Sequence, residues 1–264
     1  MKQKNRSYLK SSLERLEKWL PGNAESMLQW FDQHPSHTES EEDSFFLHYC
    51  LFSFPLLDQC GNEYTDPASF HRAILERIIL LVYDNDQIIA DCSSVHCKAK
   101  DLQNESIMQY LRKESDWMDL EHYTLCGTFF PDGSVSQDGQ ALLYSNAYVT
   151  GTYRKKGIFT RMLQMMRDHA LRNETGNACL YSVISLDPDV ACYGPDASDE
   201  PYIYSMKQDE PKRQVNATIV KKTGWFPLRL EETDPPEDDD GTKLWFAIRK
   251  EEDRIIDTYI SLQA

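Results

Sequence analysis

The sequence predicts an α/β (α+β) fold: a mixed, mostly antiparallel sheet flanked by helices, with a helical extension at the amino end. Three observations predict it. Leucines recur at helical spacing near the start. Two apolar runs then flank Asp84-Asn85-Asp86. Further on, a strand leads through a basic turn into a helix and on to another strand.

Leu9, Leu13, Leu16 and Leu20 form one apolar stripe on a first helix, which Pro21-Gly22 stops. Asn23 is placed to cap a second helix carrying Met27, Trp30 and Phe31. Residues 34–44 are polar and read as a loop. Phe45 to Gly61 is apolar throughout and fits helix or strand, and a short helix is expected around Phe70–Glu76. Ile78–Tyr83 and Gln87–Cys92 read as a β-hairpin across the Asp-Asn-Asp turn.

Residues 98–120 favour helix, Tyr123–Phe130 reads as a strand, and 131–139 is rich in turn residues. Ala141–Thr150 is the next strand, 158–173 a helix with Ile158, Met162, Met165 and Met166 on one face, and Ala178–Leu186 a buried strand. A short helix over 212–223, ended by Gly224, precedes strands at Phe226–Leu230 and Leu244–Arg249. A last short helix is expected near Ile255–Leu262.

The chain has 264 residues and a formal charge of −15. A chain of this length buries roughly 70–75% of its unfolded surface, so its core needs no staple. The acidic balance argues against a nucleic-acid binder, whose affinity comes largely from phosphate contacts. It fits a cationic partner, and it fits solubility alone. The seven cysteines are scattered with no CxxC, as in a reduced cytosolic protein. His96, Cys97 and Cys92 match no standard zinc spacing, and no metal is expected. The first twenty residues lack the apolar run of a signal peptide, and no stretch approaches the roughly 20 apolar residues of a membrane span. A cytoplasmic protein without a membrane partner is the expectation.

The stretch that carries chemistry runs from Ala147 to Phe159. A strand enters a turn holding Arg154, Lys155, Lys156 and Gly157, and a helix follows. A helix amino end presents unpaired N–H groups and partial positive charge, which suits phosphate oxygens. Residues 153–172 hold six Lys or Arg and one acid within an acidic chain. A solvated basic helix would explain that charge, and so would an anionic ligand. The strand-turn-helix context favours the ligand.

The pattern Val149-x-x-x-Tyr153-Arg154-x-x-Gly157-Ile158 resembles the GNAT acetyltransferase motif, commonly V-x-P-x-Y-R-G-K-G-I-G. Asn216 to Trp225 resembles the late helix and turn of the same family, with Lys222 and Gly224 matching and Trp225 in place of Phe. The resemblance covers roughly residues 75–250. It implies a GNAT-like domain at 73–250 behind a helical extension at 1–72 and before a tail at 251–264.

It also implies acetyl-CoA as co-substrate. The pyrophosphate would lie on Arg154, Lys155, Lys156, Gly157, Ile158 and Phe159, and the pantetheine arm along Val149. Gly151 stands where Pro is usual and Phe159 where Gly or Ala is usual. The implied reaction is direct acetyl transfer to a primary amine of a small molecule or peptide.

The family's general acid is a late-helix Tyr, and Val220 stands there. Replacement candidates are Tyr193, Tyr202 and Tyr204, with Asp187 as a water-mediated base; packing and turn roles also account for them. Val220 equally fits a non-catalytic acetyl-CoA-binding sensor or regulatory module. Seven acids in Glu231–Asp240 form a solvated loop or face a cationic acceptor. A homodimer is compatible with all of this.

Overall fold

The protein is described from a computed structural model, which covers residues 3–113, 139–172, 180–185, 218, 221, 226–231, 243–252 and 255–257. Four helices and nine strands lie within these residues. The helices are α1 (Gln3–Leu16), α2 (Ala24–Gln33), α3 (Glu105–Lys113) and α4 (Ile158–Ala170). The strands are β1 (Thr38–Glu42), β2 (His48–Asp58), β3 (Ala73–Asp84), β4 (Gln87–Lys98), β5 (Gln140–Val149), β6 (Leu180–Ser185), β7 (Phe226–Glu231), β8 (Lys243–Glu252) and β9 (Ile255–Asp257).

All nine form one sheet in the order β1-β2-β3-β4-β5-β6-β8-β7, with β9 beside β8. Every pairing is antiparallel except β5 with β6. The mixed, mostly antiparallel sheet flanked by helices is therefore as the sequence predicts. The one parallel step contains α4, because parallel neighbours need a crossover.

Both faces of the central strands are covered. On one face Leu9, Leu13 and Leu16 of α1 and Met27, Leu28 and Phe31 of α2 pack with Phe52, Phe54, Ile79, Leu81, Val95 and Leu143. On the other, Ile158, Met162, Leu163, Met165 and Met166 of α4 pack with Leu51, Ile78, Leu80, Val82, Leu142 and Tyr144. The helix stripes fit the sequence expectation except at Leu20, because α1 ends at Leu16 and a 3₁₀ turn at Glu17–Trp19 follows before Pro21. Asn23 caps α2, its side-chain oxygen accepting from the Ser26 N–H at 2.8 Å.

Several expectations need correction. Residues 1–72 are not simply a helical extension: β1 and β2 lie within them, and the boundary at 72/73 falls between hydrogen-bonded neighbours β2 and β3. The polar stretch 34–44 is not all loop, since Thr38–Glu42 is the edge strand β1. The ambiguous run after Phe45 is the strand β2. Its residues from His48 to Leu57 are all buried, which removes the alternation that would have declared a strand.

The helix expected at Phe70–Glu76 is replaced by a single 3₁₀ turn at Pro67–Ser69, after which Ala73 opens β3. Ile255–Asp257, expected helical, pairs with β8. Strand 123–130, the loop 187–211 and most of helix 212–223 lie outside the described residues. Thr218 and Lys221, within that last segment, are helical. No helix among the described residues is long and apolar enough to cross a membrane.

Candidate functional site

The loop between β5 and α4 sits at one end of the sheet. The last ladder bond runs from the Thr150 N–H to the Ile89 carbonyl at 2.9 Å. A 3₁₀ turn, Gly151–Tyr153, follows. The Tyr153 hydroxyl then donates to Asp84 at 2.6 Å, tying the loop to the β3–β4 turn. That bond holds the Tyr153 phenol above its ordinary pKa, burial and the Asp84 charge adding to it.

Two left-handed residues shape the next steps. Lys155 has φ 66°, and Gly157, the N-cap of α4, has φ 79° and ψ 2°. An alanine Cβ at Gly157 would meet no atom within 4 Å, so glycine is required there by its backbone angle and not by crowding. The first α4 bond runs from the Arg161 N–H to the Gly157 carbonyl at 3.0 Å. The N–H groups of Ile158, Phe159 and Thr160 precede it and are the unpaired amino end of the helix.

The cations divide into two sets. Arg161 donates to Glu41 at 2.6 Å through Nε, Arg172 pairs with Glu39, and Arg167 lies 2.9 Å from Asp168. Half of the positive charge counted over 153–172 is thus neutralised within the fold. Arg154, Lys155 and Lys156 remain exposed and make no ion pair among the described residues. The net positive charge therefore concentrates on the loop itself, where N–H groups and cations together suit a multiply charged anion.

Each expected cofactor residue has a definite place. The Arg154 Nε donates to the Val149 carbonyl at 2.9 Å, and its guanidinium carbon lies 6.0 Å from the Tyr148 ring centre. The Lys156 ammonium lies 4.7 Å from the Tyr153 ring centre. Ile158 is buried in the core under α4 and Phe159 packs at its margin, so both offer backbone N–H groups and not side chains.

Beside the loop, the parallel ladder between β5 and β6 runs from Gln140 to Tyr144 and stops. Ser145 is an extra residue opposite the Ser93–Ser94 step of β4, and its hydroxyl meets Ser93 at 2.7 Å. Asn146 to Val149 pair with β4 alone among the described residues.

The catalytic candidates Tyr193, Tyr204, Tyr202 and Asp187, with Val220, Lys222 and Gly224, lie outside the described residues. The residues weighed as zinc ligands do not converge. Cys92 and Cys97 belong to cores on opposite faces of the sheet, and burial raises both thiol pKa values. His96 faces Gln140 at 3.0 Å and Glu76 at 3.7 Å. Among the described residues, no group of three or more His, Cys, Asp and Glu side chains is placed to hold a metal.

Sequence reasoning missed the polar contact between β1 and the carboxyl half of α4. His169 Nδ1 lies 2.7 Å from Glu39, and its Nε2 lies 3.0 Å from the Ser53 hydroxyl, which His37 also meets at 3.1 Å. Burial opposes the Glu39 charge, but the His169 hydrogen bond and the His169 and Arg172 charges outweigh it and hold its pKa below the usual carboxylate value. Ser53 is completely buried, so this Ser-His-Glu chain is a structural tie and lacks the access a nucleophile needs. Alternating Glu39 and Glu41 was the one available signal, and their partners lie 130 and 120 residues away.

No protein-family model matches the chain, and no curated protein matches it. Among solved structures it is similar to Arabidopsis thaliana NAA60 in complex with a bisubstrate analogue. The sequence identity is 7%, the match covers 76% of this chain and 97% of that one, and the TM-score is 0.36. The functional reading rests on the loop between β5 and α4.

Proposed function

We propose that the chain binds acetyl-CoA and transfers its acetyl group to a primary amine of a small molecule or peptide. The carrying observation is the loop. Two left-handed residues, Lys155 and Gly157, flank Lys156, three exposed cations lie at the α4 amino end, and the end of β5, paired with β4, leads into it. Pyrophosphate would lie on the N–H groups of Ile158 to Thr160 with Lys155 and Lys156, and the pantetheine arm along Asn146 to Val149.

In the reaction, the neutral amine attacks the thioester carbonyl. The new C–N bond forms, the C–S bond breaks, the amine loses a proton, and the thiolate gains one. Holding the two reactants in register supplies much of the acceleration. Tyr193, Tyr204 and Asp187 are our candidates for moving these protons. The acids of 231–240 and the net charge of −15 suit a cationic acceptor, and a cytoplasmic setting suits the reduced cysteines.

A second reading has an observation of its own. Val220 stands where the resembled family has its acid, which favours a non-catalytic acetyl-CoA sensor. Isothermal titration of acetyl-CoA into the full chain, with Gly157→Glu beside it, tests both. Micromolar binding lost in Gly157→Glu supports the loop, and turnover in an amine screen then separates enzyme from sensor. An absence of wild-type binding overturns both readings.

A further inference from the structure

Phe45 and Phe46 are the large apolar side chains left exposed among the described residues, at 62% and 80%. They form the tip of the β1–β2 hairpin, and hydrogen bonds to Asp43 tie the tip down. One Asp43 carboxylate oxygen accepts from the Phe45 and Leu47 N–H groups at 2.8 and 3.0 Å, and the other accepts from the Tyr49 hydroxyl at 3.1 Å. The Phe46 N–H donates to the Asp43 carbonyl at 3.1 Å. Phe46 has φ 62°, a left-handed backbone that glycine takes easily and a phenylalanine does not. Among the described residues no packing rewards two aromatic rings held in solvent beside a strained backbone, and strain of that kind gathers at binding sites.

The strand register places the tip. β2 opens at His48 opposite Tyr83, the residue before the β3–β4 turn, and Asp84 in that turn accepts from Tyr153. The aromatic tip and the cationic loop therefore crown the same end of the sheet. Glu41, at the end of β1, pairs with Arg161 one turn into α4. The loop before α4 is thus tied to the β3–β4 turn through Tyr153 and Asp84, and α4 to the end of β1 through Arg161 and Glu41. Two acids beside the tip have partners: Asp43 accepts from two N–H groups and a hydroxyl, and Glu41 pairs with Arg161.

We infer that Phe45 and Phe46 are a stacking platform for the adenine base of the coenzyme whose pyrophosphate the loop holds. This rests on the acetyl-CoA reading above. A ligand with a thioester arm, a central diphosphate and a terminal base fits the order of β5 end, cationic loop and aromatic tip along one end of the sheet. Any base offers a π-face to an aromatic ring, so the platform needs no hydrogen-bond code.

The test is titration of the full chain and of Phe45→Ser/Phe46→Gly with two probes, acetyl-CoA and S-acetyl-4′-phosphopantetheine, which keeps the arm and lacks the nucleotide. Glycine relieves the left-handed strain, so the variant keeps the wild-type melting temperature. The expected result is an acetyl-CoA Kd raised roughly tenfold or more with the phosphopantetheine Kd unchanged. Phe45→Tyr/Phe46→Tyr keeps the rings and restores acetyl-CoA binding. An unchanged acetyl-CoA Kd, with Gly157→Glu still abolishing binding, overturns the platform and leaves the loop standing. Equal weakening of both probes also overturns it, because the rings would then be supporting the loop and not the base. Wild-type protein that binds neither probe overturns the platform and the coenzyme reading together.

Discussion

Glu39→Gln tests the tie between β1 and α4. Glu39 accepts from His169 at 2.7 Å and pairs with Arg172, and its side chain is 26% exposed against 9% for His169. A hydrogen bond to a charged group contributes about 1.5–3 kcal/mol when partly buried. Solvent screening at Glu39 and Arg172 lowers that, and the amide oxygen of Gln keeps one neutral contact, leaving about 1–2 kcal/mol. For a chain of this size each kcal/mol shifts Tm by about 2–4 °C, so the loss at pH 7.5 is about 2–8 °C. The direction with pH is fixed by linkage. The folded Glu39 pKa lies below 4.5, so its contribution is complete above that pH and is lost as pH falls through the depressed folded value. Calorimetry of both proteins at pH 7.5 and near pH 3.5 measures it. A gap under 1 °C at pH 7.5, or one undiminished at the lower pH, refutes the assignment of stability to this contact.

Lys155→Ala/Lys156→Ala removes two of the three loop cations that make no ion pair among the described residues. Its acetyl-CoA Kd should rise about tenfold, with a weaker dependence on salt in titrations from 50 to 300 mM. Asn23→Ala removes the α2 cap and should cost about 1 kcal/mol in urea unfolding without changing acetyl-CoA affinity. Tyr193→Phe should lower kcat by at least tenfold at unchanged acetyl-CoA Kd if its phenol is the proton donor, and unchanged turnover removes it from that role.

The stripes on α1, α2 and α4, the Asn23 cap and the β3–β4 hairpin were legible because each is a local pattern that its tertiary setting does not contradict. Asn23 needs only Ser26, and Asp84 to Gln87 needs only two intervening residues. The cationic loop was legible for the same reason, since strand, turn and helix amino end are contiguous. β2 was ambiguous because a strand buried on both faces loses its period. β1 was unreadable as a strand because it is polar throughout, and two of its acids, Glu39 and Glu41, answer α4. Glu39 and Glu41 alternate as strand residues should, but the alternation is of acids that find His169, Arg172 and Arg161 across the fold. The charge count over 153–172 was right in sign and misleading in detail, because the sequence cannot show which cations are already paired.

Glu41→Gln separates anchoring from charge at the loop. Glu41 pairs with Arg161 one turn from Gly157, with side chains 34% and 46% exposed. If the pair served to fix the α4 amino end, losing it would loosen the loop and weaken acetyl-CoA binding. Against that, an exposed pair contributes only about 0–1 kcal/mol even with two-pronged geometry. α4 is already held by Ile158, Met162, Leu163 and Met166 in the core. Losing Glu41 also releases a cation beside the phosphates, where an opposite charge is worth up to about 1 kcal/mol through water. The two effects oppose, and burial of the α4 apolar face exceeds both. Acetyl-CoA affinity should therefore stay within about threefold of wild type or tighten slightly at low salt, with Tm lowered by less than about 2 °C. A tenfold loss of affinity in the Glu41→Gln titration would mean that the β1 strand, and not the core under α4, positions the helix end that receives the phosphates.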